Sequence, residues 1–426
     1  MALTYTGEGL LANPRGAGTA YIRARAADFL PFGVAVWIIS GGVILFEPSF
    51  YELLFVPLLG IAVVAGMRFY RSTLSLLLLT IVFFPFALIA SFQVRHIPLT
   101  QAFIFGIVTT FLLLTAFFAA NYVAANPRER LRAINNAYTL IAVLSSFIGV
   151  AGYLHLLPHS ELFTLYDRAK GMFKDPNVFG PFLVPPALFA LQRVLMSKNL
   201  RRVVFSGVIY MILLVGVFAS FSRAAWGVMA AGSLITFVMV FLLEATARDK
   251  VRMLLMGLGG GAFLLLMLVG LINTPAFNKL FEVRASVTQE YDTGSSGRFG
   301  RQGYAFDLAL QHPWGLGPLE FETLENSEAP HDTYVTVLHH YGWGGGLAYF
   351  ALIVITLCRA IGGLRYANAR LLLIPLIAVY IPLIVEAAII DIDHWRDYFL
   401  IVGLIWGVTT FNVRNVKPPS REVALI

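Results

Sequence analysis

Long apolar runs separated by short polar connections cover most of the chain. Twelve such runs lie near residues 29–46, 50–67, 73–92, 99–124, 136–157, 177–196, 203–221, 224–243, 251–272, 333–358, 371–390 and 398–412. A helix needs about 20 mostly apolar residues to cross a bilayer, and backbone in lipid must satisfy its hydrogen bonds within the helix. The pattern therefore predicts an all-α polytopic membrane protein with about twelve transmembrane helices.

The composition agrees with this prediction. Of the 426 residues, 58% are hydrophobic and 13% are charged, whereas soluble domains have about 25% charged residues. Residues 1–27 lack the apolar core of a cleavable signal peptide, and the single cysteine, Cys358, excludes a disulfide within the chain. No low-complexity linker or fixed-period repeat divides the sequence, so we expect one membrane domain over 1–426 with a soluble insertion at 273–332.

Basic residues are unevenly distributed between alternate connections. One set of alternate connections contains 21 of the 31 Lys and Arg residues, and the other set contains 10. The positive-inside rule places the richer side, with both termini, in the cytoplasm. The net charge of +7 is therefore a topological signal and does not indicate nucleic-acid binding, and the insertion at 273–332 is expected to be periplasmic.

Several basic residues lie in connections predicted to be periplasmic, contrary to this asymmetry. Arg168 and Lys174 lie in the loop 158–176, where Asp175 before a proline is a good helix start; an anion site and an ordinary amphipathic surface loop explain these residues equally well. Arg223 joins two spans almost without a loop. An arginine at that depth usually has a function, the alternative being a side chain that snorkels to lipid phosphates.

The large loop contains a second pair of arginines. Gly and Ser residues predict a turn at 294–297, and a short helix is expected from Arg298 to Gln311, ending at "HPWGLG". Arg298 and Arg301 are three residues apart and would share a helix face. A solvated face is the alternative interpretation.

His331 stands at the start of the tenth predicted span, followed by Asp332 as its expected cap. The positive end of the helix dipole disfavours imidazolium, and a neutral imidazole suits a general base; a structural cap is the alternative. His339 and His340, about 12 Å deeper, are expected to bond inside the bundle. Glycines within 342–346 would permit close helix contact. The acidic last loop, "DIDHWRD", either holds outward arginines or is solvated.

The stretch "HDTYVTVLHHYGWGGG" resembles the O-antigen ligase signature: a His, a short polar residue, nine others, then Gly, two others and Gly-Gly. The stretches "SFSRAAW", "KDPNVFG" and "SGRFGRQGYAFDLALQHPWGLG" resemble the wider superfamily of O-antigen ligases, O-antigen polymerases and protein O-oligosaccharyltransferases. The resemblance covers most of 165–350. It departs at Asp332, where Asn or Ser is usual.

This resemblance implies a GT-C-like glycosyltransferase of the bacterial inner membrane. It would move a glycan from undecaprenyl diphosphate to an acceptor hydroxyl on the periplasmic face, among membrane lipids and without a nucleotide sugar, cofactor or metal. By matched motif, His331 is the expected base, and Arg223 and Arg298 are the expected diphosphate contacts. Three further residues, Arg168, Arg301 and Lys174, are supporting candidates for the diphosphate contact, because they are basic and are expected on the periplasmic side.

The sequence agrees with a metal-independent reaction. Apart from Asp391 and Asp393, we find no outward Asp-x-Asp and no familiar cluster of metal ligands, and guanidinium groups can stabilise a departing diphosphate. Ligation of O-antigen to lipid A–core, in lipopolysaccharide biosynthesis, is the first expectation. A polymerase with a lipid-linked glycan acceptor is the alternative. A transporter or flippase is a distant third, because the chain shows no paired halves.

Overall fold

The computed structural model describes residues 14–273, 297–324 and 328–410. Its helices are α1 (Pro14–Ser40), α2 (Phe50–Val64), α3 (Leu74–Ser91), α4 (Leu99–Ala125), α5 (Pro127–Tyr153), α6 (Pro176–Phe182), α7 (Val184–Met196), α8 (Leu200–Ala219), α9 (Arg223–Leu243), α10 (Ala247–Ile272), α11 (Arg298–Gln311), α12 (Thr333–Gly363), α13 (Ala367–Glu386) and α14 (Arg396–Val408). Two short strands, β1 (Thr164–Leu165) and β2 (Arg168–Ala169), pair antiparallel. The predicted all-α polytopic class is confirmed.

Eight helices of the described residues are long and apolar enough to cross a membrane. They are Arg71–Ser91, Leu99–Ala125, Pro127–Tyr153, Pro176–Met196, Leu200–Ala219, Arg223–Leu243, Thr333–Gly363 and Ala367–Glu386. The other four predicted spans coincide with α1, α2, α10 and α14, which fall outside these eight. The count of twelve spans therefore stays a prediction.

Helices α13 and α14 form the centre of the bundle. Every residue from Leu371 to Tyr380 is buried, as is every residue from Asp397 to Val408, and a helix that is apolar all round belongs in a core. Helix α14 packs closely on α4, because a Cβ added at Gly403 would lie 2.5 Å from the Ala116 carbonyl oxygen. The connection between α13 and α14 is held against the start of α12, because the Thr333 hydroxyl donates to the Ile390 carbonyl (2.9 Å) and accepts from the Ile392 amide (2.8 Å).

Helix α12 is broken at Gly342, whose φ of 70° lies in the left-handed region. The segment after α11 fits against this break: the Trp343 amide donates to the Pro313 carbonyl (2.9 Å) and the Leu316 amide donates to the His339 carbonyl (2.7 Å). Gly342 therefore admits a loop backbone, and the expectation of helix–helix contact is wrong at this glycine. Gly344 does meet a helix, because an added Cβ would clash with Phe86 of α3.

A buried carboxylate ties the same segment to the connection between α3 and α4. Glu320, 3% exposed, accepts from the His96 and Ile97 amides (3.1 and 3.3 Å) and lies 2.5 Å from His96 Nδ1. Burial alone raises the pKa of Glu320, but the hydrogen bonds from His96 and neighbouring amides outweigh burial and hold this pKa below its ordinary value. The residues that lead into His331 are thus anchored at two points.

Candidate active site

His331 lies directly before α12 in a backbone conformation that is rare for residues with a side chain. Its φ is 55°, in the left-handed region, and its carbonyl accepts a hydrogen bond from Gln302 Nε2 of α11 (3.2 Å). Asp332 caps the helix, since its Oδ1 accepts from the Tyr334 amide (2.9 Å) and the Val335 amide (3.3 Å). The predicted cap is confirmed. Backbone strain held in place by neighbouring groups is common at functional sites.

The imidazole of His331 faces a carboxylate that sequence reasoning did not assign to the site. Its Nδ1 lies 3.5 Å from Asp391 Oδ2, and the Thr336 hydroxyl donates to Asp391 Oδ1 (2.7 Å). The His331 side chain is 40% exposed and that of Asp391 is 23% exposed. A substrate can therefore reach the imidazole, while the carboxylate favours one orientation of the ring.

A cavity of about 330 Å³ lies next to His331, which is not itself a lining residue: Pro330 and Asp391, its chain neighbour and its carboxylate partner, both line the cavity. Aromatic side chains such as Phe105 and Phe182 line its apolar wall. Its remaining polar and charged lining residues are Glu47, Tyr51, Tyr138, Lys174, Glu322, Thr336, His340, Asp393, His394, Arg396 and Asp397. The cavity therefore draws on the ends of α1, α12 and α14 and on the loop before α6.

Both cations of the cavity face carboxylates of the connection between α1 and α2 or of α2 itself. Lys174 Nζ lies 3.0 Å from Glu47 Oε2, and Arg396 Nε donates to Glu52 Oε1 at 2.6 Å. Arg396 is a site residue that sequence reasoning missed. The sequence feature that could have indicated Arg396 is its position as a basic residue inside an acidic loop predicted to be periplasmic.

The last loop is not solvated throughout. Asp393 is 2% exposed; burial, and to a lesser degree the Asp391 carboxylate, raises the pKa of Asp393. Burial lowers the pKa of His394 to about 4, and its Nε2 lies 2.8 Å from the Thr109 hydroxyl. Burial, followed by Asp391, also raises the pKa of Glu322. The solvated interpretation of this loop is therefore wrong for Asp393.

Arg168 and Arg223 are brought to the same turn. Arg168 is 6% exposed; its Nε donates to the Ser220 carbonyl (2.8 Å) and its Nη2 donates to Asn177 Oδ1 (2.7 Å). Ser220 lies three residues before Arg223, which begins α9. Asp175 caps α6 by accepting from the Asn177 amide (2.6 Å), as predicted. A plain surface loop is thus the wrong interpretation of Arg168.

Helix α11 brings the second arginine pair towards His331. It runs from Arg298 to Gln311, as predicted. Arg301 is 8% exposed and its Nη2 lies 2.9 Å from Glu328 Oε2, so a solvated face is the wrong interpretation of this residue. Arg298 lies one turn before Gln302, on the helix face from which Gln302 reaches the His331 carbonyl.

Of the five predicted cations, Lys174 lines the cavity, and the other four, all within the described residues, are not among its lining residues. His340 also lines the cavity, whereas His339 packs its ring against Phe321, with centroids 5.2 Å apart. Both ring nitrogens of His339 and Nδ1 of His340 have no hydrogen-bond partner among the described residues, so the expectation that these histidines bond inside the bundle is wrong for those atoms.

No group of three His, Cys, Asp or Glu side chains within 14–273, 297–324 and 328–410 is arranged to hold a metal ion. Metal independence stays a prediction, since turnover alone can test it.

Comparison with known proteins gives one result. No curated protein sequence matches the chain. Residues 208–350 match the family model described as O-antigen ligase, about a third of the chain. The matched segment contains Arg223, Arg298, Arg301 and His331 together with the first part of α12 and its break at Gly342. With the multi-pass helical fold, this match supports membership of the chain in the O-antigen ligase superfamily.

Proposed function

We propose that this protein transfers a glycan from undecaprenyl diphosphate to an acceptor hydroxyl on the periplasmic face of the inner membrane, with lipid A–core as the acceptor. One observation carries the proposal: His331 is accessible, faces Asp391 at 3.5 Å and adjoins a cavity of about 330 Å³. A base, a group that orients it and room for a substrate are the parts that group transfer to a hydroxyl needs.

His331 acts as the general base. The acceptor oxygen forms a bond to the anomeric carbon of the donor sugar, while the bond from that carbon to the diphosphate oxygen breaks. The hydroxyl proton passes to the neutral imidazole, and the bonding electron pair leaves with the diphosphate. Asp391 stabilises the resulting imidazolium through Nδ1, so the other ring nitrogen, Nε2, is the one that takes the proton.

The arginines hold the departing diphosphate. A guanidinium presents forked donors that match phosphate oxygens, and we assign this contact to Arg223 and Arg298. Arg168 supports it by fixing the turn before Arg223 through Ser220. Arg301 and Lys174 remain supporting candidates; each lies about 3 Å from a glutamate, at 2.9 Å and 3.0 Å respectively.

The same chemistry would serve a polymerase, because these residues act on the donor and on a hydroxyl of either acceptor. The location of the cavity between the N-terminal end of α12 and the start of α14, combined with the basic asymmetry of the connections, supports a periplasmic site and cytoplasmic termini.

The test is turnover of the purified full-length protein with lipid-linked glycan and, in separate reactions, lipid A–core or a second lipid-linked glycan. His331→Ala should lower transfer about 10²- to 10⁴-fold, the usual contribution of general-base help, while donor binding stays. His159→Ala is the matched control, since His159 is exposed and also has a φ of 55°. Transfer by His331→Ala at the wild-type rate rejects the base assignment. Transfer to the second lipid-linked glycan but not to lipid A–core would show that the protein is a polymerase.

A further inference from the structure

The charged groups around the cavity do not suit a diphosphate. Its lining includes five carboxylates and two cations. Both cations already face glutamates, Lys174 at 3.0 Å from Glu47 and Arg396 at 2.6 Å from Glu52. A diphosphate placed here would add negative charge beside the Asp391 carboxylate and the buried carboxyl groups of Asp393 and Asp397, and like charges in a partly buried space repel strongly.

Several buried polar atoms of the cavity have no hydrogen-bond partner among the described residues. Asp393 Oδ2, Asp397 Oδ2, the Tyr138 hydroxyl and His340 Nδ1 have no hydrogen-bond partner within the described parts of the chain. All four side chains line the cavity and are 2%, 6%, 4% and 4% exposed. Because buried polar groups are almost always hydrogen-bonded, four such groups around one cavity indicate a ligand that carries matching polar groups.

The chemistry of these groups specifies the ligand. Two carboxyl groups, a phenol and an imidazole can accept hydrogen bonds from hydroxyl or amino groups, and the aromatic wall suits the apolar face of a sugar ring. An uncharged hydroxyl can bond to a carboxyl group in either protonation state, as donor to the carboxylate or as acceptor from the acid.

We propose that this cavity is the subsite for the terminal sugar of the acceptor, with Asp393, Asp397 and Tyr138 binding its hydroxyl or amino groups. The inference rests on the proposed function, because the acceptor hydroxyl must lie at His331 for the imidazole to remove its proton. The cavity adjoins that imidazole through Pro330 and Asp391. The diphosphate of the donor then lies outside the cavity, towards Arg223 and Arg298. This inference removes Lys174 from the candidates for the diphosphate contact and places it beside the acceptor sugar.

The experiment uses the full chain in detergent and two titrants, followed by calorimetry: core oligosaccharide freed from lipid A, and undecaprenyl diphosphate without a glycan. Asp393→Asn and Asp397→Asn keep the shape of each side chain and replace one carboxyl oxygen by an amide NH2, which donates hydrogen bonds and cannot accept them. Each should weaken oligosaccharide binding at least 10-fold and change undecaprenyl diphosphate binding less than 2-fold. Tyr138→Phe, which removes one hydroxyl, should weaken oligosaccharide binding about 3-fold, which corresponds to one hydrogen bond. Glu161→Gln, at an exposed carboxylate outside the cavity, should leave both affinities unchanged.

Weakened binding of undecaprenyl diphosphate with unchanged oligosaccharide binding would overturn the inference and give the cavity to the donor. Unchanged binding of both titrants in all three cavity variants would overturn it as well. If an aspartate variant does not fold, the Tyr138→Phe result decides. Turnover is measured separately: wild-type protein that binds the oligosaccharide at this cavity but transfers no glycan refutes the proposed function and leaves the sugar subsite standing.

Discussion

The break in α12 gives the sharpest test of how the structure holds the site together. Gly342→Ala places a methyl group where the structure has backbone. The added Cβ would lie 2.5 Å from the Pro313 carbonyl oxygen, 2.6 Å from the Trp314 carbonyl carbon and 2.8 Å from the Gly315 amide nitrogen. None of these atoms can rotate away, because all three belong to the main chain of one segment. The substitution must therefore displace that segment or change the φ of residue 342.

Two contributions set the expected loss of stability. A backbone with φ 70° and ψ −178° is essentially restricted to glycine and costs a residue with a Cβ about 1–3 kcal/mol, and overpacking costs about 1–3 kcal/mol. The hydrogen bond from the Trp343 amide to the Pro313 carbonyl (2.9 Å) would be weakened by any displacement. We expect Gly342→Ala to reduce the free energy of unfolding by about 2–6 kcal/mol.

The assay is the apparent Tm from tryptophan fluorescence at one scan rate in one detergent, where Gly342→Ala should lower Tm by roughly 2–6 °C. Gly362→Ala is the control in the same helix, because an added Cβ there meets nothing within 4 Å and alanine favours the helix by up to about 1 kcal/mol. A Tm for Gly342→Ala equal to that of wild type and of Gly362→Ala would refute the reasoning.

Four further predictions concern charge and topology. Arg223→Lys keeps the charge but loses the forked donors, so turnover should fall at least about 10-fold at normal protein level; near-normal turnover would return Arg223 to a lipid-facing role. Transfer should survive EDTA, and a loss restored by Mg²⁺ or Mn²⁺ would show that a metal stabilises the leaving group. In a cysteine-free background, an impermeant maleimide added to intact cells should label cysteine at Glu161 and not at Leu200, both exposed; the reverse result inverts the orientation. Glu320→Gln should lower Tm at neutral pH, since hydrogen bonds to a buried charge contribute about 1.5–3 kcal/mol. Because the folded pKa of Glu320 is below its ordinary value, its stabilising effect is present above the unfolded pKa and is lost as pH falls through the folded pKa; a pH-independent difference between the two proteins contradicts this.

Local signals predicted the elements well. Gly and Ser before Arg298 and "HPWGLG" after Gln311 fix the bounds of α11, because residues that cannot continue a helix act at their own position. The caps by Asp175 and Asp332 follow in the same way from side chains that bond within two or three residues. The motif from His331 to Gly346 indicated the family that the match over 208–350 supports.

The sequence by itself determined the all-α membrane class, the short helix of the large loop, the helix starts and the family, since each depends on a local run of residues or on a short motif. Tertiary structure alone decided which groups meet. Glu52 and Arg396 form an ion pair although they are 344 positions apart in the chain. Asp391 faces His331 from a different connection. Gly342 contacts the backbone of a loop, whereas the glycine pattern predicted contact with another helix. These contacts depend on how α1, α4, α12 and α14 pack against one another. A local sequence pattern cannot predict them, because the residues come together only when helices that are distant in the chain are in contact.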